Sequence, residues 1–422
     1  MSERRIWVTG IGVISPLACN SARHFDRLLA GDSAVDHLDG LEYRNYPPLL
    51  QARVTGFDRR EMIPDRMLRK LLSPSPGFAI AAATEALRDA QLLGTDLTEC
   101  GLYAGSVCLE ANPDSFIPAL RESVDEAGQV DLDRFARNGM KLIDPLFLVR
   151  SLPNAGLCSI AIQHQVLGPN ANLTNGPVSG LQAVIAATEA IRRGDAEIAL
   201  AGAYDSLLQM DCVVDHLLAG RLAGGTDLPS RSCRPFDRAR SGYALSEGAS
   251  FLLLENAEHA LRRGQAAYGE ILSYGESASP IRLLHPDAED DGALGEAARH
   301  ALARESGPID LVFMDGLALE ADDDREAVAY KDLFGRSGPA VTASTGSIGF
   351  AGAAGASFAL AHAFLAMDRQ IAPPMINCDE PLPQYDLRFL HQACPGPLHR
   401  ALVWSSDRGM KNAAIVVGSV EQ

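Results

Sequence analysis

Aromatic residues are scarce in this chain, 6% of 422 residues against an apolar fraction of 47%. The core must therefore be built from Ala, Leu, Val and Ile, and the 38 glycines point to many close backbone approaches. No Cys-x-x-Cys pair occurs among the eight cysteines, at 19, 100, 108, 158, 212, 233, 378 and 394. That excludes a disulfide framework or zinc ribbon and fits reduced thiols in a cytoplasmic protein. Positive charge is in deficit: the net charge is −17, which argues against nucleic acid or an anionic membrane as the main partner. Gly10-x-Gly12 lacks the third glycine of a dinucleotide fingerprint, so no cofactor is expected. His164, His285 and His362 have no neighbours at metal-ligand spacing and are read as structural, so no metal is expected either.

Charge is also missing from residues 339–367. Gly, Ala, Ser and Thr dominate that stretch and His362 interrupts it, so it reads as a strand, a glycine-rich turn and a buried helix, not a membrane span. Met1-Ser2-Glu3-Arg4-Arg5 runs directly into a short strand, so no signal peptide is expected. Arg231, Arg234, Arg238 and Arg240, and the acidic runs Asp322-Asp323-Asp324 and Glu289-Asp290-Asp291, read as solvated loops.

The element pattern repeats. The first half carries strands near residues 6–8, 13–15, 100–106 and 197–203, with Ala-rich helices over 76–92 and 181–193. The second carries strands near 270–274, 311–314, 340–343, 401–403 and 413–417, with helices over 292–305, 325–334 and 356–367. Each half has a buried strand, an elbow of small residues and a central helix, and no linker separates them. An internal duplication packed as one body is expected, dividing into residues 1–255 and 256–422.

In the first elbow, Asn175-Gly176-Pro177-Val178-Ser179-Gly180, a proline stands where a strand, a tight turn and a helix N-terminus would mount an activated Cys or Ser. Proline supplies neither a nucleophile nor an N–H for an oxyanion.

Several blocks in order carry a resemblance over essentially the whole chain: RIWVTGIGVISP at 5–16, GLQAVIAATEAIRRGDAEIALAG at 180–202, RPFDRARSGYALSEGASFLLLE at 234–255 and GAAGA at 352–356. They resemble the β-ketoacyl-acyl carrier protein synthases. The resemblance implies a thiolase fold, an internally duplicated α/β architecture in five layers, α/β/α/β/α. It also implies a catalytic cysteine and two histidines at positions that hold Pro177, Asp315 and either Phe350 or Gly349 here. The lysine that precedes the second histidine falls near Thr345. The closing GFGGTN becomes Asp407-Arg408-Gly409-Met410-Lys411-Asn412. A carboxylate at 315, ionised unless buried, would repel a malonyl carboxylate. The catalytic set is thus expected to be absent.

The sequence is similar to the chain length factor of type II polyketide synthases, a homologue that lost its cysteine and pairs with a cysteine-bearing ketosynthase. The implied partners are that ketosynthase and, through the complex, acyl carrier protein. Better-known members carry glutamine at the lost cysteine, and the proline here suggests a more divergent branch serving polyenes or other reduced chains. The resemblance places the acyl tunnel after the strand 100–106, with Cys108, Leu109 and Phe116 as its lining. Two alternatives remain: an acyltransferase or hydrolase using Cys108 or Ser179, and a homodimeric scaffold for acyl carrier protein. Ser179 also suits a helix cap, and Cys158 a small core residue.

Overall fold

The computed structural model describes residues 4–38, 48–107, 116–225, 227–285, 292–304 and 307–420. Ten strands form one hydrogen-bonded path. They are β1 (Ile6–Ile14), β2 (Gly101–Gly105), β3 (Asn170–Leu173), β4 (Ile198–Ser206), β5 (Leu245–Asn256), β6 (Gly269–Ala278), β7 (Leu311–Phe313), β8 (Ala340–Thr342), β9 (Arg400–Asp407) and β10 (Lys411–Gly418). Their spatial order is β8-β7-β9-β10-β6-β1-β5-β4-β2-β3. Counted within each half, the order is third, second, fourth, fifth, first in both. The parallel and antiparallel pairings also correspond. The halves meet along a short antiparallel seam, Ile6↔Ile271, Trp7↔Glu270 and Val8↔Gly269.

The helices complete five layers. On the outer face of the first half lie α1 (Pro74–Asp89) and α2 (Ala155–His164). In the centre lie α3 (Ser179–Arg193) and, from the second half, α7 (Ala353–Arg369), packed on each other and on strands of both halves. Between them in the chain come α4 (Met210–Leu218), α5 (Ala293–Leu302), which covers β6 and β10, and α6 (Glu320–Phe334). Every residue from Ala356 to Met367 is buried, as expected for a helix apolar all round. Among the described residues no helix is long and apolar enough to cross a membrane.

Glycine sets the closest approach. A Cβ at Gly10 would lie 2.2 Å from the Ala86 carbonyl oxygen, and one at Gly12 would lie 1.9 Å from that of Ala82. The two glycines let α1 rest directly on β1. They do not break the strand: residues 6–14 form one element with a register shift between Val8 and Gly10, where the sequence suggested two.

One polar chain crosses the apolar centre. Ser15 Oγ lies 2.6 Å from His24 Nδ1, and His24 Nε2 lies 2.7 Å from His362 Nε2. All three residues are buried. Burial, with some help from Arg27, holds the His24 pKa down to about 3. Burial and His24 hold His362 well below the usual range. Both rings are therefore neutral, one donating to the other, and His362 is structural as the sequence suggested. His164 is likewise structural: its Nε2 lies 2.8 Å from Thr84 Oγ1.

Three assignments made from sequence need correction, two of them to the surface and one to the core. Asp322-Asp323-Asp324 lies within α6, where acidic residues favour the helix N-terminus. Asp323 is fully buried and accepts from the Phe236 and Ala318 amides at 2.7 and 3.1 Å. Arg240 is not solvated: it is buried between Asp323, 3.7 Å away, and the ring of Tyr385. Cys158 is exposed on the outward face of α2, whereas Leu157 and Ile160 of that helix are buried. Glu289-Asp290-Asp291 lies outside the described residues.

Candidate functional site

β3 leads into the elbow through a tight turn. Gly176 has φ +79°, a conformation that suits glycine, and begins the single helical turn Gly176–Val178 that feeds α3. Ser179 Oγ accepts from the Asn175 amide and donates to the Gly176 carbonyl, both at 2.7 Å. It is fully buried. Its hydroxyl is thus committed to holding the preceding turn and leaves no accessible nucleophile. Contrary to what the sequence suggested, it does not cap α3, because the helix begins at Ser179 with no side-chain cap. Pro177 is partly exposed beside it.

The hairpin joining β9 and β10 folds over the elbow. A Cβ at Gly176 would lie 2.8 Å from Asp407 Oδ2, so a carboxylate occupies the space above the turn. The hairpin is fixed by its own bonds: Ser406 donates to Asn412 Oδ1 at 2.8 Å, and the Gly409 amide donates to Ser406 Oγ at 2.7 Å. Arg408 is exposed at its tip.

Asp315 follows β7. Its Oδ2 accepts from the Ser406 amide at 2.8 Å and the Ser405 hydroxyl at 3.2 Å. Thr345 donates to the Asp315 carbonyl at 2.6 Å. Glu326 of α6 accepts from the amides of Asp315 and Gly316 at 2.8 Å each and from the Trp404 indole at 2.7 Å. Burial, and then the Glu326 carboxylate, push the Asp315 pKa well above its usual value. Three donors favour the charged form of Glu326, while the carboxyl of Asp315 is harder to ionise than an ordinary carboxylate.

Gly349 and Phe350 form the second elbow. Gly349 has φ +70°, and a Cβ there would meet the Ala244 carbonyl oxygen at 2.7 Å. The Phe350 ring packs on Tyr243, centroids 4.6 Å apart, and on His216 at 5.9 Å. His216 Nδ1 lies 2.9 Å from the Tyr243 hydroxyl. Leu245 and Leu317 close an apolar cluster around these rings. Asp205, buried at the end of β4, ties the parts together by accepting from Ser106 Oγ at 3.1 Å, the Val107 amide at 3.0 Å and the Ala353 amide at 2.8 Å.

Residues 3–260 match the β-ketoacyl synthase N-terminal domain, and residues 268–379 match the C-terminal domain. The chain belongs to the β-ketoacyl synthase family. It is 29% identical to a 3-oxoacyl-[acyl-carrier-protein] synthase 2 of Rhizobium meliloti, covering 98% of both chains. It is also 29% identical to an oxytetracycline polyketide putative beta-ketoacyl synthase 1 of Streptomyces rimosus, covering 92% of this chain and 90% of that one. Among solved structures it is similar to the ishigamide ketosynthase/chain length factor, with TM-score 0.87 and 24% identity over all of both chains. It is similar also to a type II polyketide synthase ketosynthase in complex with its acyl-carrier protein, with TM-score 0.81 and 24% identity over 99% of this chain and 100% of that one. Likeness at that identity speaks to the thiolase fold.

In this ketosynthase-family chain the fold brings Pro177, Asp315, Phe350 and Gly349 to one region, where elbow, hairpin and apolar cluster meet. Phe116 lies apart, at the start of the helix Ile117–Ser123, with its ring 5.8 Å from Phe147 and 5.9 Å from Phe135. Cys108 and Leu109 lie outside the described residues. Among those described no group of three His, Cys, Asp or Glu side chains could hold a metal. Asp205, His216 and Tyr243 were not singled out by sequence. Only Asp205 gave a local signal, an acid at the end of an otherwise apolar strand.

Proposed function

We propose that this chain is a non-catalytic chain length factor that pairs with a cysteine-bearing ketosynthase and shapes the acyl tunnel of a type II polyketide or fatty-acid-like synthase. The carrying observation is the elbow: a condensing-enzyme backbone that presents Pro177, with the Asp407 carboxylate above Gly176. Proline has no nucleophile and no N–H. Asp315 offers a carboxyl, and Phe350 or Gly349 no ring nitrogen, where the family places histidines. Loss of a single oxyanion donor already costs ~100–1000-fold in rate.

The surface supports a subunit role. Among the described residues β3 pairs only with β2 and leaves its other edge open, and open edges call for cover. The segment of residues 116–152 exposes Leu132, Met140, Leu142, Leu148, Val149 and Leu152. Side chains of this kind, gathered in one segment, suit a protein interface. Acyl carrier protein would then be met through the complex.

The test is co-expression with an intact ketosynthase. A one-to-one complex, with poor solubility of this chain alone, is expected. Condensation by the purified single chain, seen by mass spectrometry of carrier-bound products, would return it to the enzymes. A tight homodimer that ignores the ketosynthase would favour a scaffold.

A further inference from the structure

We propose that a cavity at the N-terminal ends of β7 and β8 is a receptor for a medium-chain organic carboxylate, with Arg388 holding the anionic head and apolar walls taking the chain. It lies away from the degenerate site. Leu311 and Ala340 open the two strands and line the cavity, whereas Asp315 and Thr345 follow their far ends. The inference is therefore independent of the chain length factor reading.

The cavity has a volume of about 900 Å³, within the roughly 300–1,000 Å³ usual for small-molecule sites. Its floor is the register pair Ala340↔Leu311. Leu302 at the end of α5, Leu333 and Phe334 at the end of α6, and Leu398 just before β9 supply hydrocarbon around it. The Phe334 ring is held against Tyr330, centroids 5.1 Å apart. Pro308, Pro339, Pro395 and Pro397 complete much of the wall. Each proline fixes its own φ and donates no N–H, so the wall is stiff and short of donors. A stiff apolar recess needs little ordering to receive a hydrocarbon chain.

Arg388 faces this recess because of how its segment is pinned. Residues 388–390 run beside β8: the Val341 amide donates to the Arg388 carbonyl at 2.9 Å, and the Leu390 amide donates to the Val341 carbonyl at 3.1 Å. Side chains alternate along an extended segment. Phe389 turns to the core, its ring 5.2 Å from that of Phe236, while Arg388 and Leu390 on either side of it line the cavity.

The Arg388 side chain is exposed and has no ion pair or hydrogen bond among the described residues. Asp310 is the other charged residue of the wall, and its Oδ2 is held by the His399 and Arg400 amides at 2.7 and 3.0 Å. A guanidinium fork beside an apolar recess suits a carboxylate with a hydrocarbon tail, which it can bind bidentately.

The experiment is calorimetric titration of the purified chain, alone or in its complex, with decanoate, using decylammonium as the oppositely charged control. Saturable one-to-one binding of decanoate is expected, weakened about tenfold or more by Arg388→Gln and about fourfold by each methylene removed from the ligand. Arg388→Gln changes an exposed side chain and keeps the backbone bond of that residue. Cys394, a partly exposed thiol that lines the cavity, reports the location. Decanoate should slow its alkylation by iodoacetamide, followed by mass spectrometry, while the exposed Cys158 of α2 reacts unchanged. Absence of saturable binding, equal affinity for decylammonium, undiminished affinity in Arg388→Gln, or equal alkylation of Cys394 with and without decanoate would each overturn the proposal.

Discussion

Acid should destabilise this protein through the buried pair His24 and His362. In the folded chain the His24 pKa is about 3, against a reference of 6.5. Below the reference value the unfolded chain binds a proton that the folded chain refuses, so stability falls as pH falls from about 6.5 towards 3. Going from about pH 8 to about pH 5, the loss from His24 is RT ln(1 + 10^1.5), about 2 kcal/mol. His362, also held low, adds a loss of the same sign. At about 2.1 cal/mol/K per residue, a chain of 422 residues has an unfolding entropy near 0.9 kcal/mol/K, so 2 kcal/mol lowers Tm by about 2 °C. The buried carboxylates whose pKa is raised, such as Asp315, Asp323 and Glu247, oppose this trend. They are removed by comparing two chains. His24→Gln keeps an amide within reach of His362 but cannot be protonated. Scanning calorimetry of both proteins across this pH range should give a smaller acid shift in the variant, by about 2 °C. Parallel pH profiles, or an NMR titration placing His24 near its reference value, would refute the reasoning.

Other substitutions probe the site and its frame. Pro177→Cys alone should not give condensation, because Asp315 and either Phe350 or Gly349 still stand in place of the histidines; carrier-bound product in a mass-spectrometric assay would contradict this. Asp205→Ala leaves three donors without an acceptor and should cost about 3 kcal/mol or more, measured by urea unfolding. Gly12→Ala drives a methyl group into the Ala82 carbonyl and should cost about 1–3 kcal/mol, visible as a lower Tm. Phe116→Ala in the heterodimer should lengthen products without abolishing condensation, and an unchanged product length from a folded complex would remove Phe116 from the tunnel.

The parts of the fold that sequence revealed are those fixed by local pattern. The two elbows follow from runs of small residues between an apolar strand and an Ala-rich helix, and Gly194 ends α3 with φ +84°, as a helix stop should. The errors have non-local causes. Asp322-Asp323-Asp324 looks like a solvated run until Phe236 and Arg240, more than eighty positions earlier, supply the donor and the charge that bury Asp323. Cys158 sits in a helix so uniformly apolar that no period marks its outward face. His216, Tyr243 and Phe350 come from three separate segments, and nothing local to any of them announces the cluster. Pro177 was legible because the anomaly lay within its own motif.

The single sheet path has a consequence for how such chains can be recombined. α7 is encoded in the second half, yet its buried side chains pack against α3 and against strands β4 and β5 of the first. The seam at Ile6–Val8 adds hydrogen bonds between the same two halves. Neither half carries a core that is complete without the other. A chimaera that joins the front of one relative to the back of another must therefore match two central helices residue by residue. Crossovers outside those helices, in the exposed segment at residues 116–152, should be tolerated far more readily than one between β5 and β6.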